Sequence, residues 1–382
     1  MLYYRDSWAE INLDAIYQNV NHIKQHLPSQ TLVMAIVKAN GYGHGAVEVA
    51  ETALEAGATW LGVALLDEAL VLRKQGIKAP ILVLGWTRPE DIHIASDYSI
   101  SLTVFQNEWL LEARRLYQGE NPVFLHIKCD TGMGRIGVRT KEELADVVKI
   151  IQEEPRFILE GAFTHFATAD EPDPAFFHEQ ERSFKDFVDY FNELGVQPNV
   201  IHAANSAAAL KKEGNLYNMV RYGIAMYGLS PSPAMKEQLP FKLEESFSLY
   251  SKLVHVKRIA EGETVGYGAT YKAKKETWIG TLPIGYADGW LRRLSGSDVL
   301  IDGKRVPIIG RICMDQLMLE LDRPYPIGTT VTLIGKDIPI DEIADRLETI
   351  NYEVPCMINE RIPRIYLKNG KKVKEKNPIL PE

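Results

Sequence analysis

The chain has 382 residues, 46% of them hydrophobic and 25% charged, a balance that fits an ordinary globular protein and excludes a disordered or fibrous one. Lysine and arginine number 43 against 51 acidic residues, a formal net charge of −8, so no global basic field exists to hold nucleic acid or an anionic membrane. The three cysteines, Cys129, Cys313 and Cys356, include no CxxC pair, which argues against a disulfide framework or zinc ribbon and for a reducing compartment.

The N-terminal MLYYRDSWAEINLDAI lacks the basic start and apolar run of a signal peptide, and no later stretch is apolar enough to span a bilayer. A cytoplasmic protein is expected. Eight short apolar runs follow: TLVMAIV (31–37), WLGVAL (60–65), PILVLG (80–85), ISLTVF (100–105), PVFLHI (122–127), FILEGAF (157–163), NVIHAA (199–204) and MVRYGIAM (219–226). They alternate with amphipathic segments such as GAVEVAETALEAG, TKEELADVVKIIQEEP and PAFFHEQERSFKDFVDYFNELG, whose apolar residues recur every three or four positions. Strand and helix repeated in this way predict an α/β chain built on a closed (β/α)8 barrel of the TIM type. An open doubly wound sheet competes, because periodicity does not separate the two.

The proline-bearing LSPSPAMKEQLP places a domain boundary near residue 242, giving a barrel over 12–242 and a second domain over 243–382. Short alternating runs with turn signals make that second domain mostly β. DIPIDEIADRLETI predicts one capped helix in it, and KNGKKVKEKNPILPE a frayed basic tail.

In a parallel barrel the chemistry sits at the carboxyl ends of the strands. Lys38 follows the first run; Lys128, Asp130 and Arg135 follow the fifth, His165 the sixth, Asn205 and Ser206 the seventh, and Arg221, Tyr222 and Gly223 lie in the eighth. A lysine desolvated at a barrel mouth has a lowered pKa and can form a Schiff base with a carbonyl, which points to an aldolase-type enzyme or to pyridoxal phosphate. Against this stands the commoner fate of a strand-end lysine, snorkelling to solvent. Tyr42, Ser206 and the Gly223–Ile224 backbone supply the donors a phosphate needs and favour the cofactor. Gly132–Gly137 satisfies GxGxxG, with Glu153 and Glu154 near the distance of a ribose-binding acid, but four strand-helix units precede it and its helix begins only at Thr140. A dinucleotide site is therefore disfavoured. His22 and His26 read as a solvated helix face, and His165 as a hydrogen-bonding relay rather than a metal ligand.

Taken together, AIVKANGYGHG, HIKCDTGMGRIG, THFATAD, RYGIAMYG, VGYGATY, LPIGYADGW, GRICMDQ and NYEVPC resemble the alanine racemase family, in order, from about Trp8 to about Arg364. The resemblance implies a pyridoxal 5′-phosphate enzyme and a head-to-tail homodimer, with residues 1–11 pairing to the β domain. It implies Lys38 as the lysine bonded to the cofactor and the base for D-alanine, and Tyr267, from the other subunit, as the base for L-alanine. Tyr42, Ser206, Gly223, Ile224 and Tyr352 would hold the phosphate, Arg221 would face the pyridine nitrogen, and Arg135 would contact the cofactor phenolate and substrate carboxylate. The Met314 backbone, also from the other subunit, would bind that carboxylate. Lys128 would be a carboxylated lysine orienting Arg135, and His165 would link Arg221 to Tyr267. Tyr286, Cys313 and Asp315 lie in the same matching motifs.

The implied residue types suit racemisation, which takes a proton from one face of Cα and delivers another to the opposite face. An always-protonated arginine opposite the pyridine nitrogen discourages ring protonation and favours return of the proton to Cα. The implied activity is interconversion of L- and D-alanine, supplying D-alanine for peptidoglycan. A racemase of another small amino acid such as serine, a non-catalytic cofactor-binding barrel, a fold-related decarboxylase and a nicotinamide dehydrogenase are the competing readings.

Overall fold

A computed structural model describes residues 3–380; Met1, Leu2, Pro381 and Glu382, which fall in segments assigned above to the second domain, lie outside the described residues. Strand β1 (Ser7–Asn12) comes first. The eight apolar runs form β2 (Leu32–Ile36), β3 (Trp60–Val63), β4 (Ile81–Val83), β5 (Ser101–Val104), β6 (Val123–Lys128), β7 (Phe157–Phe163), β8 (Val200–His202) and β9 (Met219–Tyr222). Each pairs in parallel with the next, and β9 closes on β2 with Arg221 opposite Met34 and Tyr222 opposite Ala35. The barrel is closed, so no edge strand is left to cover and the doubly wound alternative is excluded.

Crossover helices bury the faces their periodicity defined. Ala175–Glu193 turns Phe177, Phe184, Phe187 and Phe191 inward, and Lys141–Glu153 starts where Thr140 accepts a hydrogen bond from the Glu143 N–H. The β6–β7 pairing is irregular: Leu125 lies opposite Leu159 but His126 lies opposite Gly161, so Glu160 is one residue too many on β7. Such a bulge bends the strand and re-aims a side chain.

Contacts divide the chain into two compact units. One comprises Ala15–Gly41 and Ala46–Glu244, the barrel. The other gathers the N-terminal residues up to Asp14, the short insert Tyr42–Gly45 and everything from Glu245. Its strands are β10 (Phe247–Lys252), β11 (His255–Ile259), β12 (Thr264–Val265), β13 (Tyr271–Lys272), β14 (Thr277–Leu282), β15 (Asp298–Ile301), β16 (Lys304–Ile309), β17 (Leu317–Leu321), β18 (Thr330–Ile334), β19 (Arg364–Lys368) and β20 (Lys371–Lys376). Ten strands form one sheet in the order β11-β14-β17-β16-β15-β18-β10-β1-β19-β20, while β12 and β13 pair separately. β1 is antiparallel to β10 and parallel to β19.

Three expectations are corrected. The basic stretch after Lys368 is not frayed, because Asn369 and Gly370 both take positive φ (53° and 66°) and turn β20 back onto β19 as a hairpin. The helix in DIPIDEIADRLETI spans Ile340–Leu347 without a side-chain cap, since its N-cap is Pro339, and a second short helix occupies Glu353–Met357. His22 and His26 are half-buried rather than solvated. Both rings lie against Phe241, at 5.3 and 5.8 Å between centroids, and His26 Nε2 bonds the Leu210 carbonyl. Among the described residues no helix is long and apolar enough to cross a membrane, and no group of three or more His, Cys, Asp or Glu side chains is placed to hold a metal.

Candidate active site

In the barrel unit, β2 delivers Lys38 half-buried. The backbone then turns left-handed through Ala39, Asn40 and Gly41 (φ 52°, 52° and 60°). Non-glycine residues there each cost about 1 kcal/mol, so the turn needs fixed partners. Glu68 supplies them: Oε1 accepts from the Ala39 N–H (2.6 Å), and Oε2 accepts from the Ala64 and Leu65 N–H groups (2.7 and 3.2 Å). Asn40 Oδ1 accepts from the Ala46 N–H, and the Gly41 N–H reaches the Val37 carbonyl. The residue after Lys38 is thus pinned to the end of β3.

Arg221 is buried inside β9. Its Nη1 donates to His202 Nδ1 and the His202 carbonyl (3.0 and 3.1 Å), and its Nη2 to the Thr164 and Ala203 carbonyls (2.8 and 2.9 Å) and His165 Nδ1 (3.1 Å). None of these acceptors is a carboxylate. Burial lowers the guanidinium pKa to about 9, which leaves it charged at neutral pH. A guanidinium only donates, so His165 must accept at Nδ1 and carry its hydrogen on Nε2. Burial, then the charges of Arg221, Arg135, Lys128 and Lys38 in that order, hold the His165 imidazole well below the usual range and therefore neutral.

Lys128 ends β6, buried, with Nζ donating to the Cys129 carbonyl (2.7 Å). Burial lowers its pKa to about 8, with Cys129 opposing and Arg221 adding to the shift. The loop that follows explains the false dinucleotide signature. It doubles back on β6 through the Asp130 N–H to Val138 O and Val138 N–H to Lys128 O bonds, and Asp130 Oδ1 accepts from the Gly132 and Gly134 N–H groups. A Cβ at Gly137 would meet the Asp130 nitrogen at 2.4 Å. These glycines fold around Asp130, leaving Arg135 exposed at the tip. Glu154 and Glu153 are engaged by Arg156 and Arg114.

Ser206 Oγ accepts from the Gly223 N–H (2.9 Å), which keeps its own hydrogen available as a donor beside the Ile224 backbone. Asn205 caps the short helix that starts at Ser206, accepting from the Ala208 N–H. Pyridoxal phosphate, the group the resemblance implies, needs an amine for its aldehyde, donors for its phosphate and a partner for its ring nitrogen. The residues fit: Lys38 supplies the amine, Ser206 and its neighbours the donors, and Arg221 Nε–H is the guanidinium donor that has no hydrogen bond among the described residues.

In the β unit, Tyr42 lies against Tyr352 with ring centroids 6.2 Å apart, and burial keeps its hydroxyl protonated by raising its pKa. Tyr267 sits on a turn between β12 and β13 where Gly266 and Gly268 take positive φ (79° and 73°), and it is 70% exposed. A surface hollow lined by Val254, His255, Val265, Tyr267, Cys313 and Met318 sets it beside the loop that carries Cys313 and Met314. There the Tyr286 and Ala287 N–H groups donate to the Cys313 and Met314 carbonyls (both 3.0 Å), and a Cβ at Gly285 would meet those same oxygens at 2.3 and 2.5 Å. Below them Asp288, fully buried, accepts from the Gly285 N–H and pairs with Arg5, while Arg361 bonds Asp315 and approaches Asp288. Met314 itself is 52% exposed.

Residue reading missed Glu68, Asp288, and the imidazoles of His126 and His202. The last two carried a signal, because a histidine inside an otherwise apolar strand must find a buried partner.

A closed (β/α)8 barrel with polar side chains gathered after its strands, followed in the chain by a β-rich unit, defines the class as a barrel enzyme with a second, β domain. The family model for the alanine racemase N-terminal domain matches residues 11–231, and that for the C-terminal domain matches residues 246–366. Alanine racemase of Geobacillus kaustophilus is 55% identical over 99% of this chain and 98% of its own, and alanine racemase 1 of Bacillus subtilis is 52% identical over 99% and 97%. The crystal structure of alanine racemase from Bacillus anthracis with bound L-Ala-P superposes with a TM-score of 0.97 at 51% identity, covering 99% of both chains. The chain belongs to the alanine racemase family.

Proposed function

We propose that the protein interconverts L- and D-alanine, using pyridoxal 5′-phosphate, as a cytoplasmic homodimer whose two active sites each draw residues from both subunits. The observation that carries this reading is the set of side chains at the carboxyl ends of the barrel strands: half-buried Lys38 after β2, Ser206 accepting from the Gly223 N–H, and the guanidinium of Arg221, buried in β9 and bonded to His165.

Bound through Lys38, the cofactor would supply an electron sink that acidifies the substrate Cα–H. Lys38 Nζ moves the proton on one face of Cα, and the Oη of Tyr267 of the partner subunit moves it on the other. Ser206, Gly223 and Ile224 would hold the phosphate, and Tyr42 and Tyr352 are the further phosphate ligands that the family resemblance implies. Arg221 Nε–H would face the ring nitrogen and, as a donor that keeps its own proton, would leave that nitrogen unprotonated. Arg135 and the Met314 N–H of the partner subunit fix the substrate carboxylate. His165 passes a hydrogen bond from Arg221 toward Tyr267 of the partner subunit. Lys128, with a pKa lowered by burial to about 8, exposes more of its neutral amine near neutral pH than an ordinary lysine does; carbon dioxide can carboxylate that amine, and the resulting anion would orient Arg135. The exposure of Tyr267 and Met314 in a single chain supports their service to a second one. Tyr286, Cys313 and Asp315 shape the loop that presents Met314. D-alanine for peptidoglycan is the product such an enzyme supplies.

The test is a chiral assay on purified protein offered L-alanine, L-serine and L-histidine, with the visible spectrum recorded. A barrel with a TM-score of 0.89 and 33% identity to this chain is a histidine racemase of Leuconostoc mesenteroides, so substrate choice is a real variable on this fold. Conversion of alanine in both directions by yellow protein supports the reading. Turnover of another amino acid in preference to alanine overturns its substrate, and colourless active protein overturns its cofactor.

A further inference from the structure

Arg221 does not end at His202. His202 Nε2 lies 3.1 Å from His126 Nδ1, His126 Nε2 lies 3.1 Å from Glu160 Oε2, and Ser101 Oγ lies 2.5 Å from that same oxygen. Both imidazoles are completely buried, whereas the Glu160 side chain is 19% exposed. The line runs through four neighbouring strands, from β9 through β8 and β6 to the bulge on β7, with Ser101 joining from β5.

Its direction is determined by its ends. Arginine has donors only, so His202 must accept at Nδ1; a neutral His202 then carries its hydrogen on Nε2 and donates it to His126 Nδ1. His126 in turn carries its hydrogen on Nε2 and donates to Glu160, where a carboxylate accepts from both His126 and Ser101. Each bond polarises the next, as expected for a chain in a low-dielectric interior. Burial, then the charge of Arg221, depresses the His202 imidazole and keeps it neutral.

The line is built rather than incidental. The bulge makes Glu160 the extra residue that reaches His126, and the next residue has no side chain: a Cβ at Gly161 would sit 2.4 Å from His126 Cε1 and Nδ1. Phe163 stacks on His202 at 4.7 Å between centroids, and Trp60 meets His126 edge-on at 5.6 Å, so neither ring is free to turn over. An arginine wanting a carboxylate has been given two neutral imidazoles instead, with the carboxylate three hydrogen bonds away.

We propose that Glu160, His126 and His202, with Ser101, are positioning residues that form a one-way hydrogen-bond relay through the barrel core, holding Arg221 as a charged donor with its Nε–H turned to the cofactor's ring nitrogen. The proposal rests on the cofactor reading given above. With the acceptor at the far end removed, His126 and His202 are released to the other tautomer, which presents an N–H to Arg221 and repels it.

The test compares Glu160→Leu, which removes the acceptor, with Glu160→Gln, which keeps an amide oxygen. Nitrogen NMR of histidine-labelled protein reads the ring tautomers, with and without added pyridoxal phosphate, so the relay is judged apart from the cofactor. The wild-type protein is expected to show His126 and His202 as single neutral Nε2–H tautomers. Glu160→Leu should show mixed tautomers, a cofactor affinity lower by about tenfold, of the size lost when a ligating histidine loses its outer partner, and a reduced kcat with little change in the KM for alanine. Glu160→Gln should restore most of each. If Glu160→Leu does not fold, Ser101→Ala is expected to move the same signals by less in the same direction. Nδ1–H tautomers in the wild type, or wild-type tautomers and affinity in the acceptor-less variant, would overturn the relay. Absence of visible cofactor absorbance in the unsubstituted protein would instead overturn the cofactor reading.

Discussion

The two units prepare their chemistry in opposite ways. In the barrel, Lys128 and Arg221 are buried, their donors assigned to specific acceptors, and their pKa values moved by burial to about 8 and about 9. In the β unit, Tyr267 and Met314 stand exposed, and order lies beneath them, where Asp288 and Arg361 fix the loop of residues 313–315. Electrostatic tuning needs exclusion from water, which a barrel interior supplies within one chain. The exposed loop of the β unit has no such burial and is held from beneath by hydrogen bonds and ion pairs instead.

Substitutions can break that contrast, and the largest effect belongs to the barrel. Lys38→Ala should remove visible absorbance together with racemisation, a loss of about 10⁴-fold or more for a residue serving as both attachment and base. Absorbance with an unchanged maximum would contradict the assignment. Next, Tyr267→Ala should keep the absorbance but slow racemisation by about 10²- to 10⁴-fold, with solvent deuterium entering the two enantiomers unequally. Equal loss of exchange from both would remove the two-base account.

Asp288→Ala then tests the claim that the β unit is braced from below. Removing one member of a buried ion pair costs about 3 kcal/mol, so chemical denaturation should show a lower midpoint while the absorbance due to Lys38 persists. The smallest effect concerns Lys128. Its folded pKa of about 8 lies below the ordinary value of 10.5, so between these the unfolded chain binds more protons and stability rises with pH. Lys128→Met should flatten that rise, measured as the difference in denaturation midpoint at about pH 7 and about pH 10 relative to wild type. An identical slope in both proteins would place the titrating group elsewhere.

Much of this architecture is legible in the sequence. The eight apolar runs became eight strands because parallel strands covered on both sides are apolar throughout, and the polar residues after them mark the carboxyl ends. The antiparallel strands of the β unit were equally visible in their alternation. The His22 and His26 assignment failed because helix periodicity does not show that Phe241, more than two hundred residues later, covers the face. The strand at Arg364–Lys368 was visible, but its return strand was read as a frayed tail because of its lysines, although Asn369-Gly370 is a strong turn signal. Glu68, Asp288 and Glu160 escaped notice because each has one partner remote in sequence, Ala39, Arg5 and His126 respectively, and an acidic residue on a helix or strand looks like ordinary surface.

The central claim is that one active site is assembled from Lys38 of one subunit and Tyr267 of the partner subunit. It is tested most directly by unfolding inactive Lys38→Ala and Tyr267→Ala chains together, refolding them as a mixture, and assaying alanine racemisation. Random pairing gives hybrids in which one site has both mutations and the other has neither, so recovery of about a quarter of wild-type activity is expected for a two-fold dimer. No recovery, with hybrids shown to form, would contradict the shared site.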